Sequence, residues 1–357
     1  MNKFNSTIAL ALLAITFTAC KKNTDEPIIT VPPSDGSTLT LNGLIGAELG
    51  SAAGNSVYVD FSKDKQTAVD RSSWDLGFYS GADFRVVLNN SASAGAKVTT
   101  ATSLAAITEA DAVGLTLAVN QMAPANTDFA YFDGLNGSIA TTVIPAVASI
   151  AADNKVIILN RGTGGGIAAR PWIKLKVTRN TTGGYTLQYA ELKETTAFKT
   201  VEIAKDEKFN FKFVSLTSGT TVNVEPAKAE WDIVWGYSVY QTSFSGVLVP
   251  YNFSDLVFLN VLNGVTAAQV STADFTYAAF AEANLTSTKV SFSAARDIIG
   301  SNWRITSGTP IGVKTDLFYL VKDGAGNVYK LRFNSFISND GGTRGKPVIE
   351  YKLVKKG

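Results

Sequence analysis

The chain has 357 residues, 45% of them hydrophobic and 17% charged, which is long enough for two domains with real cores. A formal net charge of +2, with no Lys/Arg cluster, leaves nucleic acid without an electrostatic footprint. There is no histidine, so the commonest general base, the commonest metal ligand and the physiological-pH switch are excluded together, while 30 glycines favour a β-rich fold with many tight turns.

Residues 1–19 read as a lipoprotein signal peptide: Lys3 is the positive end, and Ile8 to Phe17 is an apolar run too short to span a bilayer. The run ends Phe17-Thr18-Ala19-Cys20, similar to the lipobox at which bacterial lipoproteins are cleaved and acylated. Cys20 is the only cysteine, so an intrachain disulfide is impossible and the thiol is the expected lipidation site. Residues 20–41 come next as an expected disordered tether, rich in Pro, Thr, Ser, Asp and Gly and too poor in apolar surface to fold.

Residues 44–195 read as a first β unit. Val57–Phe61, Trp74–Tyr79, Asp83–Leu88, Val156–Asn160, Trp172–Thr178 and Tyr185–Leu192 are expected strands, and Ser103–Val113 an expected helix. The cluster Arg161-Gly162-Thr163-Gly164-Gly165-Gly166 resembles a phosphate loop at first sight. A dinucleotide fingerprint has to open a helix, however, and the segment after this cluster is β-branched and strand-like.

Residues 200–357 read as a second β unit in the same order. Phe209–Leu216, Trp231–Tyr237, Leu256–Leu262, Phe318–Lys322 and Val328–Phe336 are expected strands, with an Asp-Gly hairpin turn at 323–327. Ala273–Leu285 is the strongest expected helix, carrying Phe275, Ala279 and Phe280 on one face.

The two units repeat one another. Trp74-Asp75-Leu76-Gly77-Phe78 answers Trp231-Asp232-Ile233-Val234-Trp235, each after an apolar alternating run and a polar turn. Asn89 answers Asn260, Lys174-Leu175-Lys176-Val177 answers Lys330-Leu331-Arg332-Phe333, and Gln188-Tyr189 answers Glu350-Tyr351. Such ordered matches imply an ancestral unit of about 140 residues present twice, packed closely because the linker at 193–200 is short. A duplicated aspartate argues for a fold role, bonding backbone amides of a turn, and against a catalytic carboxylate pair. Without histidine or a free cysteine no Ser/His/Asp or Cys/His arrangement can form, and the chain is expected not to be an enzyme.

Two segments have no counterpart: Gln121–Gly137 in the first half and Gln241–Ser254 in the second. Aromatic residues crowd both, and unshared loops are where a ligand site is more readily grafted onto a shared scaffold. The bland alternative is that these aromatics cap the sheets.

The lipobox, the tether, the Trp74–Phe78 motif after a polar turn, and the late hairpin Phe318–Gly324 followed by Tyr329–Phe333 resemble the HmuY family. The resemblance implies a mainly β surface lipoprotein of the outer membrane, built here from two related antiparallel units in tandem with a few short helices. It also implies haem or tetrapyrrole capture for iron acquisition, with transfer to a TonB-dependent outer-membrane receptor. Haem-binding members hold iron with paired histidines or methionines. This chain has only Met1, lost with the signal, and Met122, so neither pair can form within one chain. Met122 alone, Met122 with a tyrosine, a tyrosine alone, or apolar binding without ligation remain open. The candidate cofactor-binding residues are Met122, Tyr131, Tyr237, Tyr240 and Tyr251, with Met122 the candidate metal ligand; as an isolated methionine it would otherwise fill a gap in a core. The alternative function is a cell-surface interaction lipoprotein that binds a glycan, a peptide or an outer-membrane partner without haem.

Overall fold

The computed structural model describes residues 31–357, so the signal peptide, Cys20 and the first part of the tether lie outside the described residues. The first half supplies β1 (Gly36–Thr40), β2 (Asn55–Asp60), β3 (Lys65–Asp70), β4 (Leu76–Tyr79), β5 (Val86–Leu88), β6 (Gly95–Val98), β7 (Ile157–Asn160), β8 (Ile173–Arg179) and β9 (Tyr185–Glu191). The second supplies β10 (Lys199–Ile203), β11 (Phe211–Ser215), β12 (Thr220–Val222), β13 (Ile233–Phe244), β14 (Val247–Leu259) and β15 (Thr266–Ser271). It continues with the small β16 (Arg304–Ile305) and β17 (Gly312–Val313), then β18 (Leu317–Lys322), β19 (Val328–Ser335) and β20 (Val348–Lys355).

The repeat is real, but it is interleaved. Two five-stranded sheets have the orders β1-β20-β19-β18-β15 and β10-β9-β8-β7-β6; two four-stranded sheets have the orders β12-β11-β4-β5 and β14-β13-β2-β3. Interchanging the halves maps this scheme onto itself, apart from the small β16–β17 pair. In every sheet, though, the opening strands come from the opposite half: β1 closes onto β20, β10 onto β9, β2 onto β13 and β11 onto β4. The two related units, expected at 44–195 and 200–357 as a close-packed pair, thus share their sheets. Neither half can complete a sheet without strands of the other, and Pro33–Gly357 forms one compact unit.

Strand alternation explains the layering. In the four-stranded sheets Val57, Val59, Ile233 and Trp235 face one sandwich core, and Leu76, Phe78, Val86 and Leu88 face the other. The residues between them, Tyr58, Val87, Phe213 and Val234, enter a third cluster shared by the two four-stranded sheets. The result is a stack of four layers, with both inner sheets apolar on both faces.

The Trp–Asp motifs occupy matched environments. Asp75 Oδ2 accepts from Leu216 N at 2.7 Å, and Asp232 Oδ2 accepts from Phe61 N at 2.8 Å, so each carboxylate fastens the end of a strand from the other half. Asn89 Nδ2 donates to the carbonyls of Arg71 and Trp74, as Asn260 Nδ2 does to those of Lys228 and Trp231. Electrostatics distinguish the copies. Asp75 pairs with Arg161 at 2.8 Å and Arg170 at 3.2 Å. Asp232 has no such cation; burial, with Asp60 and Asp323 nearby, pushes its carboxyl up to about 8.

Three expectations are overturned. The tether ends early, because Gly36–Thr40 is a strand closing an edge of a five-stranded sheet. Neither expected helix forms. Ser103–Val113 holds two short 3-10 turns, and Ala273–Leu285 holds turns with one 3-10 turn at Glu282–Thr286. The physical cause is the matched buried lysines. Lys330 Nζ donates to the carbonyls of Tyr277, Ala278 and Phe280, which a helix would have used internally, and Lys174 Nζ takes the Ile107 carbonyl. The apolar residues of these segments instead cover the outer faces of the five-stranded sheets. Finally, Gln241–Ser254 is a ribbon rather than a loop: β13 and β14 run on and turn at Ser245-Gly246, whose φ values of 50° and 83° suit a tight hairpin. The glycine cluster is followed by a strand, as its sequence requires, and the Arg71 guanidinium donates to the carbonyls of Gly164 and Gly165.

Candidate functional site

Both unshared segments lie together. Gln121 Nε2 reaches the Asn252 carbonyl at 3.5 Å and Asn126 Nδ2 the Leu248 carbonyl at 2.9 Å, so the loop of the first half packs on the ribbon of the second. The ribbon tip leaves Phe244, Val247 and Leu248 about half exposed, and Met122 is 90% exposed beside it. Met122 is thus not a core filler.

The candidate tyrosines scatter around this platform. Tyr240 and Tyr251 face one another across the ribbon, and each rests edge-on against Phe253 with centroids 5.6 Å apart. The Tyr240 hydroxyl is committed to Asp297. Tyr237 lies under the Arg71 guanidinium, 4.7 Å from its ring centroid, at the margin of an internal cavity. Tyr131 lies apart, packed with Trp172 and Phe198 on the outer cover of a five-stranded sheet. Capping of sheets by aromatics therefore accounts for much of the set.

The internal cavity, of about 160 Å³, opens in the shared middle cluster, where the inner sheets meet. Its walls repeat with the fold. Trp74 packs edge-on against Phe213 at 4.8 Å, and Trp231 against Tyr58 at 5.1 Å, the same pair drawn from the other half. Its floor is polar. Glu225 Oε2 and Trp231 Nε1 are buried without a hydrogen-bond partner. The Arg296 guanidinium stacks 4.2 Å from the Phe258 centroid. Burial pushes Glu225 up to about 8 despite Arg296 nearby, and lowers Arg296. The unshared loop forms a roof: Asp133 accepts from Leu88 N at 2.6 Å and Val143 N at 2.8 Å, and burial raises it to about 6. Gly137, at φ +75°, rests on the Arg296 side chain so closely that a Cβ would collide with it.

A match to the HmuY protein family runs over residues 52–351, spanning both halves. The chain belongs to the HmuY family. No curated protein and no solved structure matches it. HmuY proteins are surface-associated binding proteins of the haem-binding type and not enzymes. Among the described residues no group of three potential metal ligands occurs, and no helix is long and apolar enough to cross a membrane.

The candidate haem ligands of this HmuY chain are not gathered at one point. Met122 stands in solvent, Tyr240 is engaged, Tyr131 is elsewhere, and no two of the candidates converge as an axial pair. The cavity is also smaller than the ~300–1,000 Å³ usual for pockets that enclose a drug-sized ligand. Sequence reading missed Glu225 and Arg296, which carry no motif. Tyr58 and Phe213 were findable as aromatics within the expected strands that precede the two Trp–Asp motifs.

Proposed function

We propose that this HmuY protein is a lipid-anchored binding protein of the cell envelope that captures a small molecule for uptake, held between its inner sheets without iron chemistry. The supporting observation is the aromatic-walled cavity with its unpartnered polar floor. Polar groups are rarely left unpaired in folded proteins, and a concave apolar site with a few converging polar groups is the usual form of a ligand pocket. A cavity of this size suits a single-ring molecule; about 150 Å³ of apolar space holds benzene. The test is extraction of the folded protein purified from its native envelope, followed by mass spectrometry. A stoichiometric small molecule that disappears when Val234→Trp fills the cavity is the expected result, and an empty extract from a well-folded protein refutes the proposal.

A second reading keeps haem or another tetrapyrrole as the ligand, for iron acquisition through a TonB-dependent receptor. The exposed Met122, Phe244, Val247 and Leu248, where the two unshared segments meet, favour it, since they offer an apolar surface to a flat macrocycle. Titration with haemin decides. A shifted Soret band that Met122→Ala or Tyr251→Phe alters supports this reading, and an unchanged free-haemin spectrum removes it.

A further inference from the structure

Two buried polar atoms of one cavity lack a hydrogen-bond partner, and a guanidinium lines the same space. Arg296 is held in place by Phe258 below its guanidinium and Gly137 against its stem, with Glu225 and Asp297 as its neighbouring carboxyl groups. Glu225 presents one buried carboxylate oxygen and Trp231 one buried indole N–H without a partner. No ion pair within 4.0 Å joins Arg296 to Glu225, so the guanidinium and the carboxyl group line one space without closing on each other. A guanidinium and a carboxyl group held apart over an apolar chamber define the complement they lack: an anion for the first, a cationic donor for the second, and a hydrocarbon group between the rings.

We propose that the cavity is a binding site for a free α-amino acid with an apolar side chain, its carboxylate on Arg296, its ammonium on Glu225, and its side chain between Trp74, Trp231 and Phe213. The inference rests on the cavity being the ligand site. Three features narrow the class. A dicarboxylate would set a negative group against Glu225, and a simple amine would leave Arg296 unanswered; a zwitterion answers both and adds no net charge to a desolvated space. Guanidinium is also the side chain whose planar fork suits a carboxylate. The volume, about 160 Å³, admits one small molecule and excludes a folded peptide. Burial pushes Glu225 up to about 8 even with Arg296 and Asn210 near it, so near neutral pH the free site holds it protonated, and a bound ammonium beside it favours the carboxylate form.

The experiment is calorimetric titration of the soluble chain from residue 31 onward with L-phenylalanine and L-leucine. The same titration with 3-phenylpropionate, which lacks the amine, and phenethylamine, which lacks the carboxylate, needs no variant and so no assumption about folding. At least one of the two amino acids is expected to bind, with each half-analogue of phenylalanine weakened about 10- to 100-fold, the worth of a hydrogen bond to a charged group. Arg296→Met and Glu225→Gln are expected to weaken the amino acid similarly while leaving the thermal transition cooperative, and Val234→Trp to abolish binding. No heat with either amino acid up to about 10 mM overturns the inference. So does equal affinity for phenylalanine and its half-analogues, or full affinity in Val234→Trp. If amino acids fail while another small molecule is extracted from the protein, the ligand class falls and the capture function stands; if both fail, both fall.

Discussion

The duplicated aspartates give a controlled comparison, because the same residue in the same hydrogen-bonded position meets opposite electrostatics. Asp75→Asn removes the charge that Arg161 and Arg170 face from 2.8 and 3.2 Å, leaving buried cations uncompensated. Losing one partner of a buried ion pair typically costs about 3–5 kcal/mol. Asp232 holds no arginine and is pushed up to about 8, so at pH 6 it is already neutral. Asp232→Asn keeps an acceptor for Phe61 N and has no proton to hold against the unfolded chain, so at that pH it is expected to be neutral or stabilising. The pH dependence comes from the raised value. The folded state retains a proton that the unfolded state releases near 4, so the contribution of Asp232 is full below about pH 4 and is lost as pH rises through about 8. Glu225, also pushed up to about 8, adds to the same slope. Asp232→Asn lacks its share and should therefore gain on the wild type between pH 6 and pH 9. Urea unfolding followed by tryptophan fluorescence at both pH values measures this. Equal costs for the two substitutions at pH 6, or a pH-independent difference between Asp232→Asn and wild type, would refute the electrostatic distinction.

Lys330→Met removes the donor that holds three carbonyls of the 277–280 cover, and a loss of about 2–3 kcal/mol with faster proteolysis in 273–292 is expected. Starting the chain at Leu41 deletes β1, exposes the edge of β20 and should lower the thermal midpoint and promote association, read by light scattering. Gly137→Val forces both an unfavourable φ and a collision with Arg296; ligand affinity should fall more than global stability, since the roof can lift without breaking a sheet.

The duplication was legible because its marks are local: Trp74-Asp75 and Trp231-Asp232, the two asparagines, the two lysines and their order along the chain. Strand positions came from alternation and turn residues. The helices at 103–113 and 273–285 were misjudged because apolar spacing at helical intervals also arises when a non-helical cover packs on a sheet, and the competing donor, a lysine more than fifty residues away, leaves no local trace. Of the candidate site, the unshared segments were visible as breaks in the repeat. That they meet was not, since they belong to opposite halves.

The sequence by itself determined that the fold is β-rich and doubled, that histidine chemistry is absent, and that the two aspartates serve the scaffold. Only the tertiary structure decided that the halves exchange their first three strands. A strand such as β2, which pairs with β13, would meet an equivalent but not identical strand, β4, in its own half. Its apolar alternation does not distinguish the two, and the choice shows only in the path of the connections after β3 and β12. The cavity is a product of that exchange, because only interleaved halves bring Trp74 with Phe213 and Trp231 with Tyr58 onto one shared layer.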